Sequence, residues 1–119
     1  MTDQTAQQLF FELIEKEVSE SLILKVLYMY FRSRQDVIYK MQQSQPGDQA
    51  IHDFISNAFG IWGGASLNPE GWYEYAGGRK PWLEVQDRNF ELIARLEGEQ
   101  LVNAFRTVFR IDGNQLRLF

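Results

Sequence analysis

Cysteine is absent from this 119-residue chain, so neither a disulfide nor a thiolate metal site can hold it together. One histidine, His52, is present. That excludes a metal centre built from three imidazoles of a single chain. The longest apolar run, Leu22–Phe31, is interrupted by Lys25, whereas a membrane-spanning helix needs roughly 18 apolar residues or more. Met1–Gln8 has no Lys or Arg and no apolar stretch, so no signal peptide is expected. Positive charge is in deficit: 12 bases against 16 acids leave a net charge of −4. That balance argues against a general nucleic-acid binder, whose affinity comes largely from phosphate neutralisation. The expectation is a soluble, cytoplasmic chain with no membrane contact.

What is present suits one globular unit. The length fits a single domain, and 45% apolar with 24% charged residues is near the globular norm. Charge falls in blocks. Residues 1–20 hold five acids and one Lys, 21–45 four bases and one acid, 46–78 four acids and no base, and 79–119 seven bases and six acids. Solvated faces explain such blocks; attraction between neighbouring elements or between subunits is the sharper reading.

Hydrophobic spacing predicts helices first. Leu9, Leu13 and Val18, with Phe10 and Ile14, recur at helical spacing over 3–18. Over 21–43 a helix places Ile23, Val26, Leu27, Tyr30, Phe31, Val37, Ile38 and Met41 on one side, interrupted only by Arg34. Two strands around a turn at Ser33–Asp36 are the alternative, but helical spacing accounts for more positions. After Gln45-Pro46-Gly47-Asp48, the stripe Ile51, Phe54, Ile55, Ala58 and Phe59 predicts a helix at about 48–60, ended by Gly60.

The character then changes. Six of the nine glycines, with Trp62, Trp72, Tyr73 and Tyr75, lie in a connector over about 60–81, and Trp82 follows. A short strand is expected at Trp72–Ala76, and Gly77-Gly78-Arg79-Lys80 reads as a hairpin turn. Leu96-Glu97-Gly98-Glu99-Gln100-Leu101 is echoed by Ile111-Asp112-Gly113-Asn114-Gln115-Leu116. Acid-Gly at a loop centre is a hairpin signal, because glycine takes positive φ freely. Two such corners predict strands near 82–86, 90–97, 100–111 and 115–119, although Leu101, Phe105, Val108 and Phe109 also fit a helix.

The fold class expected is therefore α+β: two or three N-terminal helices, about 1–62, on one face of a C-terminal four- or five-stranded antiparallel meander, about 82–119. In element order alone it resembles the cone-shaped nuclear-transport-factor-like fold, which implies a curled sheet around a pocket.

No catalytic set emerges. Asp48, His52 and Ser56 are spaced i, i+4, i+8 and line one helical face. Three residues on one straight helix do not take up the orientations of a triad, so a polar stripe is the plainer reading. Neither Gly60-Ile61-Trp62-Gly63-Gly64 nor Gly77-Gly78-Arg79-Lys80 has phosphate-loop spacing. Trp62, Trp72, Tyr73, Tyr75, Arg79 and Trp82 remain as the candidate binding residues, since Trp, Tyr and Arg dominate binding hot spots and flat rings suit sugars and small molecules. The alternative is that the rings seal one end of the core. The expectation is a non-enzymatic binding domain without cofactor or metal, pairing with itself as a dimer or with a protein partner. A small-molecule pocket, enzymatic or not, is the second reading.

Overall fold

The computed structural model describes residues 19–111. The expected helix over 3–18 and the expected strand over 115–119 lie outside them. Element order is α1 (Ser19–Phe31), a 3-10 turn (Arg32–Arg34), α2 (Gln35–Ser44), α3 (Asp48–Ala58), β1 (Gly64–Asn68), β2 (Gly71–Tyr75), β3 (Trp82–Gln86), β4 (Leu92–Glu97) and α4 (Glu99–Phe109).

The helices form where apolar residues recur on one side. Leu22, Ile23, Val26, Leu27 and Phe31 bury one face of α1. The stripe expected to continue to Met41 breaks at Arg32–Arg34, and Val37 is exposed, so 21–43 is two helices rather than one. Gln45 takes a left-handed conformation (φ 48°) just before Pro46 and ends α2. Ile51 and Ile55 anchor α3. Phe31 is the hub where α1, α3 and α4 meet. Its ring lies 5.7 Å from Phe54, 5.7 Å from Phe59 and 5.1 Å from Phe105. Burying a side chain of that size contributes roughly 1.5–3 kcal/mol.

The helix Glu99–Phe109 corrects the strand expected over 100–111. Leu101, Val102, Phe105 and Phe109 are buried on one side of it. Gly98 does take positive φ (57°), but it opens a helix instead of turning a hairpin. Its amide bonds to the Pro81 carbonyl, and its carbonyl accepts from the Leu101 and Val102 amides. Arg106 then fastens α4 to the α2–α3 corner, donating to Asp48 Oδ1 at 2.7 Å, the Pro46 carbonyl at 2.7 Å and the Ile111 carbonyl at 3.0 Å. A helix after the last described strand also removes the element order on which the nuclear-transport-factor-like resemblance rested.

The sheet is mixed, in the order β2-β1-β3-β4. β1 pairs antiparallel with β2 and parallel with β3, and β3 pairs antiparallel with β4. Four strands and one parallel pair replace the expected antiparallel meander. Gly77–Lys80 is accordingly no hairpin turn: residues 76–81 carry the chain from β2, past the start of β1, to β3. Ala65, Leu67, Leu83 and Val85 form the fully buried inner face, which the helices cover.

The crossing fixes Gly63 and Gly64. A Cβ on Gly63 would lie 1.8 Å from the Tyr75 carbonyl oxygen and 2.5 Å from that of Phe59, backbone on both sides. A Cβ on Gly64 would fall inside the Trp82 ring, 2.1 Å from Cδ2. Gly63→Ala is expected to lower unfolding stability by about 3 kcal/mol, because no side chain can swing aside to admit it; urea titration followed by circular dichroism measures this.

Candidate functional site

Strand alternation sorts the aromatic residues onto different surfaces. Register places Tyr73, Ser66, Glu84 and Arg95 in one row across the outer face of the sheet, and Tyr75, Gly64, Trp82 and Glu97 in the next. Among the described residues no helix packs on this face. Because Gly64 has no side chain, the Trp82 ring settles over it and meets Tyr75 at 5.3 Å between centroids, 31° apart in plane. The Arg95 guanidinium sits 4.5 Å from the Trp82 ring centroid, a cation–π contact. Glu84 at 2.8 Å and Glu97 at 3.4 Å hold Arg95 there. Gln86 Nε2 donates to the second Glu84 oxygen at 3.3 Å. Within its row Ser66 is covered by its neighbours, 1% exposed, and its Oγ has no hydrogen-bond partner.

Trp72 and Glu74 point to the inner side, at the β2 edge. Trp72 packs edge-on against Tyr30 at 5.2 Å, and the Tyr30 hydroxyl donates to Glu74 Oε1. Partial burial and this bond to an anion push the Tyr30 pKa well above the ordinary tyrosine range. On the outer side the Tyr73 hydroxyl reaches Glu70 Oε2 at 3.2 Å, and its pKa is also raised, by desolvation and then by Glu70.

Trp62 stands apart from both groups. It and Ile61 have positive φ, 62° and 24°. Its ring packs on His52 at 4.9 Å. Arg79 is exposed on the crossover, and no ring contact of Arg79 occurs among the described residues. The six sequence-chosen residues thus form three groups: Tyr73, Tyr75 and Trp82 on the outer face, Trp72 at the inner edge, and Trp62 against α3, with Arg79 outside all of them. Arg95, Glu84, Ser66 and Gly64 were missed. The alternation of Arg95 and Glu97 with Ala94 and Leu96 was the signal for the first of these.

Among the described residues the catalytic alternatives suggested by the sequence do not assemble. Asp48 is taken by Arg106, His52 by Trp62, and the buried Ser56 Oγ has no partner. No group of three metal-ligating side chains occurs among the described residues. The space between sheet and helices is packed with side chains such as Leu83, Val85 and Phe105. Grooves open elsewhere on the surface, among them one of about 440 Å³ beside His52, Lys80 and Glu99, an apolar one of about 490 Å³ beside Leu24, Tyr28 and Val108, and one of about 270 Å³ beside Gln35, Tyr39 and Gln42.

Tyr30 supplies a pH test. Its folded-state pKa lies above the unfolded value of about 10, so the protonated hydroxyl favours folding. That contribution is complete below about pH 10 and is lost as pH rises through the folded pKa. Unfolding free energy should therefore fall more steeply with alkali in the parent than in Tyr30→Phe, as chemical denaturation at pH 8 to 11 reads out. A comparison of the chain with protein-family models, curated proteins and solved structures finds no match.

Proposed function

We propose that this chain is a non-enzymatic binding domain that associates with itself through the aromatic strand β2. The single observation that carries this reading is the exposure of the β2 rings on both faces of the strand: Trp72 inside, and Tyr73 and Tyr75 outside, keep 36%, 38% and 47% of their surface in water. Large rings left partly wet on a flat strand are the residues most enriched in interface hot spots. Sedimentation velocity is expected to show a mass above that of the 14.0 kDa monomer that falls on dilution. A monomer at every concentration would reject self-association.

A second reading is favoured by the Tyr75–Trp82 pair. Two rings inclined at 31° over a glycine, beside Glu84, Gln86, Arg95 and Glu97, offer stacking for a flat apolar face and hydrogen bonds for hydroxyls at its rim. A neutral oligosaccharide has that combination. The excess of acid over base on the platform, Glu84 and Glu97 against Arg95, favours a neutral ligand over a phosphate chain. Titration with cello-, chito- and malto-oligosaccharides, followed by tryptophan fluorescence, should show saturable binding to one class, weakened about tenfold or more by Tyr75→Ala, a loss of about 1.4 kcal/mol. An unchanged signal with all three would dismiss this reading.

A further inference from the structure

β2 is an edge strand whose outer side pairs with no other strand among the described residues. Natural sheets guard such edges with Lys, Pro, bulges or a covering element. β2 has no Lys, Pro or bulge within Gly71–Tyr75, and no element among the described residues pairs with its free side. Its pairing with β1 is free of register shifts, and its one charged residue, Glu74, is engaged inward by Tyr30. The other edge differs. β4 has a bulge opposite Val85/Gln86, and α4 follows it after a single residue, Gly98.

We infer that a second copy of this chain occupies the β2 edge, pairing antiparallel with its own β2 about a two-fold axis through Tyr73. This rests on the self-association proposed above and specifies its geometry. A two-fold axis perpendicular to the sheet keeps every side chain on its own face. Of the registers that allow this, only Tyr73 on the axis pairs all five residues of the strand. Tyr73 then faces Tyr73 of the second copy on the outer side, and Trp72 faces Glu74 on the inner side. Residues that lie opposite one another across an antiparallel pair interact directly. Trp72 and Tyr30 of each copy approach the seam from the helix side and Tyr73 from the other, so Trp72 and Tyr73 gain cover, while Tyr75 lies opposite Gly71 of the second copy. The two sheets merge in the order β4-β3-β1-β2-β2-β1-β3-β4.

The area involved sets the expected strength. A fully buried aromatic side chain covers about 150–250 Å². More than half of each β2 ring is already covered in the monomer. One five-residue seam therefore falls well short of the roughly 800 Å² per partner of a standard stable interface. The dimer is weak and reversible, and its population follows protein concentration.

The axis position gives the test. Tyr73→Lys and Tyr73→Glu each set two like charges opposite one another at the seam, which disfavours pairing. Each variant alone is expected to sediment as a monomer at concentrations where the parent chain is dimeric, with an unchanged circular dichroism spectrum. An equimolar mixture of the two should regain the dimer, because Lys then meets Glu. Tyr73→Phe should stay dimeric. Four results are distinguishable. Loss in each variant with recovery in the mixture supports the seam. Loss without recovery overturns the Tyr73-centred register. Dimers that survive in both charged variants overturn the β2 seam and leave self-association standing. A parent chain that is monomeric throughout overturns the seam and the self-association together.

Discussion

β1 has neighbours that reach it from both sides by different routes, and the whole arrangement depends on a backbone with no side chains where those routes meet. β2 returns along one side through a tight hairpin. The chain then passes the start of β1 to place β3, parallel, on the other side. At that point Gly63 lies against the carbonyls of Phe59 and Tyr75, and nothing larger than hydrogen fits. Because the crossing succeeds, β1 becomes an internal strand, β2 becomes an edge, and Gly64 leaves a bare patch on the outer face. The two surfaces proposed to bind, the edge and the ring platform, are by-products of one steric allowance.

The glycine-rich stretch is therefore not one site with six contributors. Alternation along β2 sends Trp72 and Glu74 toward α1 and sends Tyr73 and Tyr75 the other way. Tyr30 ties the inner pair to the helical layer through a ring contact and a hydroxyl–carboxylate bond. On the outer side Arg95 stacks on Trp82 while two carboxylates hold it in place. Rings that looked interchangeable in sequence thus divide between fastening the helices to the sheet and facing solvent.

Much of the helical half was legible because its signals are local and agree. Ile51, Phe54, Ile55 and Ala58 have only one periodicity, and Pro46-Gly47 marks the start of α3. Trp82–Gln86 read as a strand for the same reason. The segment Gln100–Arg110 had two conflicting signals. Leu101, Phe105, Val108 and Phe109 have helical spacing, while the likeness of Glu97-Gly98 to Asp112-Gly113 points to paired hairpins. Gly98 has the positive φ that a hairpin corner needs, but the same conformation serves a helix entrance. What decides the matter is non-local: Arg106 finds its acceptors at Pro46 and Asp48, nearly sixty residues back. The mixed topology was likewise out of reach, because nothing within Gly77–Lys80 says which side of β1 the next strand will take. Trp82 lying over Gly64 and Arg95 lying over Trp82 follow from that choice.

The parallel pairing of β1 and β3 also orders events in time. The β1–β2 hairpin closes through two residues, Pro69 and Glu70, and can form early with little loss of chain entropy. β3 docks only after the longer excursion through β2 and the crossover is complete. Until then β1 presents a bare backbone edge on its β3 side, while the apolar residues Ala65 and Leu67 have only the helical layer to cover them. Phe31 and the rest of α1 precede β1 in the chain, as do α2 and α3, whereas α4 follows β3 and β4, so only the first three helices are available to that surface before the sealing strand is made.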